Sequence, residues 1–205
     1  MVSTKTLVIG ITGTMTSGKG ALNYFLIDRG FKSIRLTQPI LSKGLKEKKD
    51  MGNRKNWLDI LVEMRKKDGV DILAKLAAKQ IEPEGRYVLC PIRNPADIKY
   101  LKKNYDALIF YVDSPFKLRY RRTFLKETVS SMSEEEFKKK DDLENNPSGK
   151  DKDFLPNISA CKELADEVIE NEKSLNDLNK ELDKILRQYH IQKIEDQGYL
   201  EGFEV

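Results

Sequence analysis

The chain has one histidine and two cysteines among 205 residues, and that scarcity excludes whole chemistries. Cys90 and Cys161 stand far apart with no metal-ligand spacing, so a zinc site is not expected. A single histidine leaves no material for a His-based nucleophile system. No apolar run approaches the roughly 18 residues of a membrane-spanning helix, and the first six residues carry no apolar leader. A cytoplasmic protein without signal peptide or membrane span is expected. A dominant charge is missing as well. The 37 basic and 33 acidic residues leave a net charge of +4 with the histidine neutral. That surplus is too mild for a nucleic-acid partner, and no basic stripe with interleaved aromatics accompanies it. It suits a phosphorylated small molecule. Charged residues at 34 % and hydrophobic ones at 39 % describe a globular chain with a highly charged surface, long enough for one domain and a sizeable core.

What is present is concentrated near the start. An apolar run, Leu7 to Ile11, leads into Gly13-Thr14-Met15-Thr16-Ser17-Gly18-Lys19. A helical pattern follows, with Ala21, Leu22, Phe25 and Leu26 on one face and Gly30 as a stop. This is strand, glycine loop, helix, with the spacing G-x-x-x-x-G-K. Such a loop turns successive backbone N–H groups around a phosphate chain. The helix adds its positive end, and the lysine brings a mobile charge to the outer phosphates. Gly20 stands where a hydroxyl residue usually follows the lysine.

Further along, Phe31 to Leu36 reads as a second strand that ends before Gln38. Lysine-rich residues 40–51 read as a solvated helix or loop. Trp57, Ile60, Leu61 and Met64 form one helical face closed by Gly69, and a second helical pattern covers 70–81. Residues 87–92 and 107–112 are apolar enough to be buried parallel strands, the first followed by Arg93-Asn94-Pro95 and the second by Asp113. Hydrophobicity falls away from 128 to 157. Within that span, Ser133-Glu134-Glu135-Glu136 is a capping-box pattern and 145–154 reads as a mobile loop. A short helix (158–164), a weak fifth strand (167–170) and a last helix with Leu175, Leu178, Leu182, Ile185 and Leu186 on one face complete the pattern. Alternation of strands and helices predicts an α/β architecture, a parallel sheet covered on both faces. Its ligand edge, at the strands' carboxyl ends, should carry the loop, Gln38, Cys90 to Arg93 and Asp113.

With the G-K-G ending of its loop, the run Arg65-Lys66-Lys67-Asp68-Gly69, Ile92-Arg93-Asn94-Pro95, Leu118-Arg119-Tyr120-Arg121-Arg122 and the segment from Ile158 to Asp166, the chain resembles the nucleoside-monophosphate kinase branch of phosphate-loop (P-loop) proteins. It looks closest to the archaeal and bacterial nucleotide kinases related to adenylate and cytidylate kinases, and to dephospho-coenzyme A kinase. The resemblance spans residues 6–186. It implies a three-layer P-loop NTPase fold with a five-stranded parallel sheet over residues 1–190, an acceptor-site helical insertion at about 40–81, a lid at about 119–157 and a tail at 191–205. It implies ATP as donor, held by residues 13–21 (Gly13, Thr14, Met15, Thr16, Ser17, Gly18, Lys19, Gly20, Ala21) with Arg119 near the donor phosphates. Lys19 and Arg122 would carry catalysis, and Gln38, Arg65 and Arg93 would meet the acceptor, a nucleoside monophosphate or coenzyme A precursor.

Three positions depart from that pattern. Gly20-Ala21 offer no hydroxyl, Cys90-Pro91 stands where an aspartate commonly ends the third strand, and Gln38 replaces an acidic residue. No direct side-chain ligation of a metal is expected, so Mg2+ would be held mainly by phosphates and water. Asp113 is the remaining carboxylate on the active edge, available for metal-water or base duty or simply for capping. Cys90 reads as inert packing. Two readings stay open: an ATP-dependent nucleotide kinase, or a catalytically degenerate nucleotide-binding or interaction module on the same fold. The acceptor's identity and the oligomeric state are not written in the sequence.

Overall fold

The computed structural model describes residues 6–124 and 132–193. Five parallel strands lie in the order β2-β3-β1-β4-β5: β1 (Leu7–Gly13), β2 (Lys32–Arg35), β3 (Arg86–Cys90), β4 (Leu108–Asp113) and β5 (Glu167–Glu170). The central strand β1 registers Ile9 against both Val88 and Leu108, so it is hydrogen-bonded on both edges. Side chains of a strand point alternately to opposite faces. Val8, Tyr87, Leu89 and Ile109 join one core layer, and Ile9, Ile11, Val88, Phe110 and Val112 join the other. Helices cover both faces, which is why β1 and β4 are nearly continuously apolar. The α/β three-layer expectation is met.

On one face pack α3 (Arg54–Asp68), α4 (Ile72–Ala78) and α5 (Pro95–Tyr105). On the other pack α1 (Lys19–Ile27) and α9 (Leu175–Gln188). The expected face of α3 is buried at Ile60, Leu61 and Met64, with Asn53 capping its start and Gly69 ending it at φ 102°. Between β2 and β3 stand three helices rather than two. The lysine-rich stretch folds as α2 (Gln38–Lys46), whose Ile40 and Gly44 are buried. After β4 come α6 (Phe116–Arg121), α7 (Glu134–Asn145) and α8 (Ile158–Lys162). The predicted capping box forms at Ser133/Glu136 on α7, and a second one forms at Ser174/Asp177 on α9.

Two expectations need correction here. Residues 145–154 are not a free loop, because a 3-10 turn at Lys152–Phe154 is tied down by Asn94, which donates to the carbonyls of Asp153 and Leu155. Leu175 is exposed at the first turn of α9, and the buried stripe starts at Leu178. Of the expected tail, Ile191 is buried against the α1/α9 layer, and residues 194–205 lie outside the described residues. Among the described residues, no helix is long and apolar enough to cross a membrane.

The end of β1 leaves no room for a side chain. Gly13 has φ +134°, and a Cβ there would stand 2.0 Å from the Val112 carbonyl oxygen of β4. Backbone oxygen cannot yield without breaking the sheet. Gly13→Ala is therefore expected to cost about 3 kcal/mol or more in urea unfolding, whereas an unchanged midpoint would contradict the close β1–β4 approach.

Candidate functional site

The loop between β1 and α1 is shaped from outside as well as from within. Gly13 and Gly18 take positive φ, and Thr16 joins them at φ 54°. The Thr14 hydroxyl donates to Asp113 at the end of β4 (2.9 Å), and the Asn171 amide donates to the Ser17 carbonyl (2.8 Å). Thr16 donates to the Arg119 carbonyl of α6 (2.7 Å). Lys19 folds back, its Nζ donating to the carbonyls of Gly13 and Thr14. The start of α1 has no side-chain cap and no acidic residue in its first turn, so its positive end is uncompensated. Among the described residues, the buried Ser17 hydroxyl has no hydrogen-bond partner.

Two cavities meet in front of this loop. One, of ≈ 840 Å³, is lined by residues 15–21 together with Cys90, Arg122 and Lys140. The other, of ≈ 360 Å³, runs between α2 and α3, with Ile40, Trp57, Leu58, Leu61 and Leu73 in its walls. Four residues line both: Arg35, Arg54, Pro91 and Arg93. A cationic junction thus joins the glycine loop to an apolar pocket with one tryptophan.

Comparison with known proteins bears on the fold. The chain is 29 % identical over 180 residues to a UPF0200 protein of Sulfurisphaera tokodaii, covering 88 % of this chain and 96 % of that one. Among solved structures it is similar to TT1252 from Thermus thermophilus (TM-score 0.57, 19 % identity, 90 % of this chain and 98 % of that one). It is also similar to a shikimate kinase from Acinetobacter baumannii, solved in complex with shikimate (TM-score 0.54, 13 % identity, 91 % and 96 %). No family model matches. The fold is that of the phosphate-loop kinases.

Within this kinase fold the expected site residues separate into two groups. Lys19, Gly20, Ala21, Arg93 and Arg122 line the loop cavity. Arg122 is held there by the carbonyls of Ser17 and Asn171 and by the Ser114 hydroxyl. Burial lowers its pKa from the usual arginine value. The others are engaged elsewhere. Gln38 is exposed at the start of α2 and lines neither cavity, whereas Arg35 and Thr37 do. Asp113 accepts from Thr14 and from the Ser114 N–H (2.9 Å each), with Lys162 at 3.7 Å, so it braces the loop and is absent from the cavity lining. Arg119 is buried in a two-pronged ion pair with Asp141 of α7 (2.6 and 2.8 Å), and it also donates to the carbonyls of Ser114 and Met15. Arg65 is 2 % exposed and bonds Asp97 of α5 and the Phe154 carbonyl, both at 2.8 Å. It stitches α3 to its neighbours and, with Asp97, lines the apolar cavity. A lone arginine in a helix pattern does not reveal which carboxylate from elsewhere in the chain will pair with it, so neither the Arg65 nor the Arg119 ion pair is legible in the sequence.

Cys90 is half-buried, packed against the α1/α9 core layer on one side and bordering the loop cavity on the other. Burial pushes its thiol up to about 11, against the pull of Lys19, Arg93 and Arg35. It is a neutral thiol at physiological pH and does not replace an aspartate. With Asp113 committed and no hydroxyl at Gly20 or Ala21, the residues do not fit direct ligation of Mg2+ at the loop. They do fit phosphates. Among the described residues, no three His, Cys, Asp or Glu side chains cluster as metal ligands.

Sequence reasoning missed Arg35, Arg54, Lys140 and Glu144. Arg35 ends β2 on the ligand edge and was findable on that ground. Arg54 opens α3 and Glu144 sits in a uniformly charged helix, where nothing in the pattern marks either.

The Asp97 carboxyl is fully buried, and burial pushes its pKa up to about 6 against the pull of Arg65 and the Ala74 N–H. A raised carboxyl pKa means that the folded state binds the proton more tightly. Stability carried by this group is therefore present at about pH 4, falls as pH rises toward about 6, and is level above. Unfolding at stepped pH should show that fall flattened in Asp97→Asn. Asp97→Ala, which leaves Arg65 buried without its carboxylate, should cost about 3–5 kcal/mol. An unchanged pH slope in the first variant, or an unchanged midpoint in the second, would contradict the pairing.

Proposed function

We propose that this protein is an ATP-dependent phosphotransferase acting on a small nucleotide-like acceptor. The observation that carries the reading is the junction of the two cavities at Arg35, Arg54 and Arg93. In it, the ATP phosphates lie on residues 13–20 at the positive end of α1, and Lys19 leaves its carbonyl partners for the transferred group. Arg122 and Lys140 approach from the lid, comprising α6, α7 and the segment to residue 157. The acceptor's flat apolar body enters between α2 and α3 beside Trp57, its anionic end on the junction arginines. In-line transfer then proceeds by positioning and by neutralising charge on the phosphoryl oxygens, with little covalent work left to the protein.

The acceptor follows from what the cavities lack. Among the described residues no carboxylate lines the loop cavity, and the one that lines the acceptor cavity, Asp97, is spent on Arg65 and the Ala74 N–H, so no general base stands ready to take a proton from a hydroxyl. A phosphate monoester needs none, since its second pKa is about 6 and it is largely ionised at neutral pH. This favours a nucleoside monophosphate over dephospho-coenzyme A, whose acceptor is a hydroxyl. When bound, Mg2+ would be carried by the phosphates and water.

A second reading has its own support. The neutral Cys90 thiol, the committed Asp113 and the missing loop hydroxyl also suit a module that binds a nucleotide without turning it over. ADP release, measured against a panel of nucleoside monophosphates and dephospho-coenzyme A at high enzyme concentration, separates the two. The kinase reading expects acceptor-dependent release with a monophosphate, reduced roughly 10- to 100-fold in kcat/KM by Arg93→Ala. Folded protein that binds ATP yet releases no ADP with any acceptor would sink it and leave the module.

A further inference from the structure

Glu144, near the end of α7, is 2 % exposed and holds two arginines from two other elements. Arg54, the first residue of α3, donates Nη2 to its Oε1, and Arg93, just beyond β3, donates Nη1 to its Oε2. Neither guanidinium makes another hydrogen bond among the described residues, and each spends one nitrogen on the carboxylate. Their side chains are 44 % and 30 % exposed and line both cavities, while the glutamate lies behind them. Burial alone would push the Glu144 carboxyl up. Arg93, Arg54 and Lys19 more than reverse this, and its pKa lies below the usual value, so it is an anion at neutral pH.

Three residues earlier on the same helix, Asp141 is buried against Arg119, which donates to the Met15 carbonyl of the loop. Positions i and i+3 share a helix face. One face of α7 therefore grips the phosphate loop through Asp141 and the acceptor-side arginines through Glu144. Fixing a long side chain on binding costs about 0.5–1.5 kcal/mol each. A carboxylate that already holds two guanidinium groups removes that cost from ligand binding, but only while α7 is docked.

We infer that Glu144 is a positioning residue: it sets Arg54 and Arg93 as a ready anion site and makes that site conditional on the docking of α7. The inference rests on the reading of these arginines as acceptor-binding groups, and it needs no turnover. Coupling of this kind is reciprocal. Whatever α7 contributes to anion binding, an anion must return to α7.

The test is hydrogen exchange on the full chain with inorganic phosphate as probe, read at the amides of 134–145. In the wild type, phosphate should slow exchange there. In Glu144→Gln the same protection should need at least about tenfold more phosphate, with Glu144→Asp recovering part of the loss. Arg93→Gln should abolish the protection. A merely structural glutamate would raise exchange in 134–145 equally with and without phosphate. That result, faster exchange on adding phosphate to the wild type, or tighter phosphate binding by Glu144→Gln, would overturn the inference. The wild-type arm stands by itself if the variants do not fold. Amides 14–20 report phosphate on the loop separately, so failure there counts against the phosphate-loop reading and leaves the α7 result legible.

Discussion

The loop from Gly13 to Lys19 is held in shape by groups at the ends of its neighbouring strands and helices, and most of the site depends on that bracing. Asp113 at the end of β4 takes the Thr14 hydroxyl, Asn171 just past β5 takes the Ser17 carbonyl, and α6 takes Thr16. A phosphate-binding loop works by aiming backbone N–H groups before the ligand arrives. With its turns set by glycines and its carbonyls already satisfied, this one is preorganised by the parallel sheet itself. That also explains the fate of Asp113. A carboxylate on the active edge was open to metal or base duty, and it serves the loop's geometry instead.

Around the loop the chain spends its charges in two ways. Arg65–Asp97 and Arg119–Asp141 are buried pairs that join elements distant in sequence. Such pairs add little net stability over an apolar contact of the same shape, but removing one partner is costly, so they fix which elements meet. Lys19, Arg35, Arg54, Arg93, Arg122 and Lys140 line the cavities instead.

Strand, glycine loop and helix were legible because each follows from a short-range rule: an apolar run, glycine spacing, a period of 3.6. The capping box at Ser133 was legible for the same reason. Long-range pairing was not. Whether Arg65 faces a ligand or Asp97 depends on α3 and α5 packing together, and whether Gln38 or Arg35 borders the cavity depends on one residue of phase at the end of β2. Cys90 reads as core by hydropathy and does pack on the α1/α9 layer, but as the last residue of its strand it also borders the cavity. Glu144 lies among eight other charged residues of α7, and only the fold singles it out as the buried one that meets two arginines.

The central claim is that the loop is a binding site for nucleotide phosphates. Calorimetric titration of ATP into the full chain, without added metal and beside Lys19→Ala, tests it most directly. The account predicts one ATP per chain and an affinity at least about tenfold weaker in the variant. A folded wild type that takes up no ATP, or a variant that binds it equally well, would contradict it.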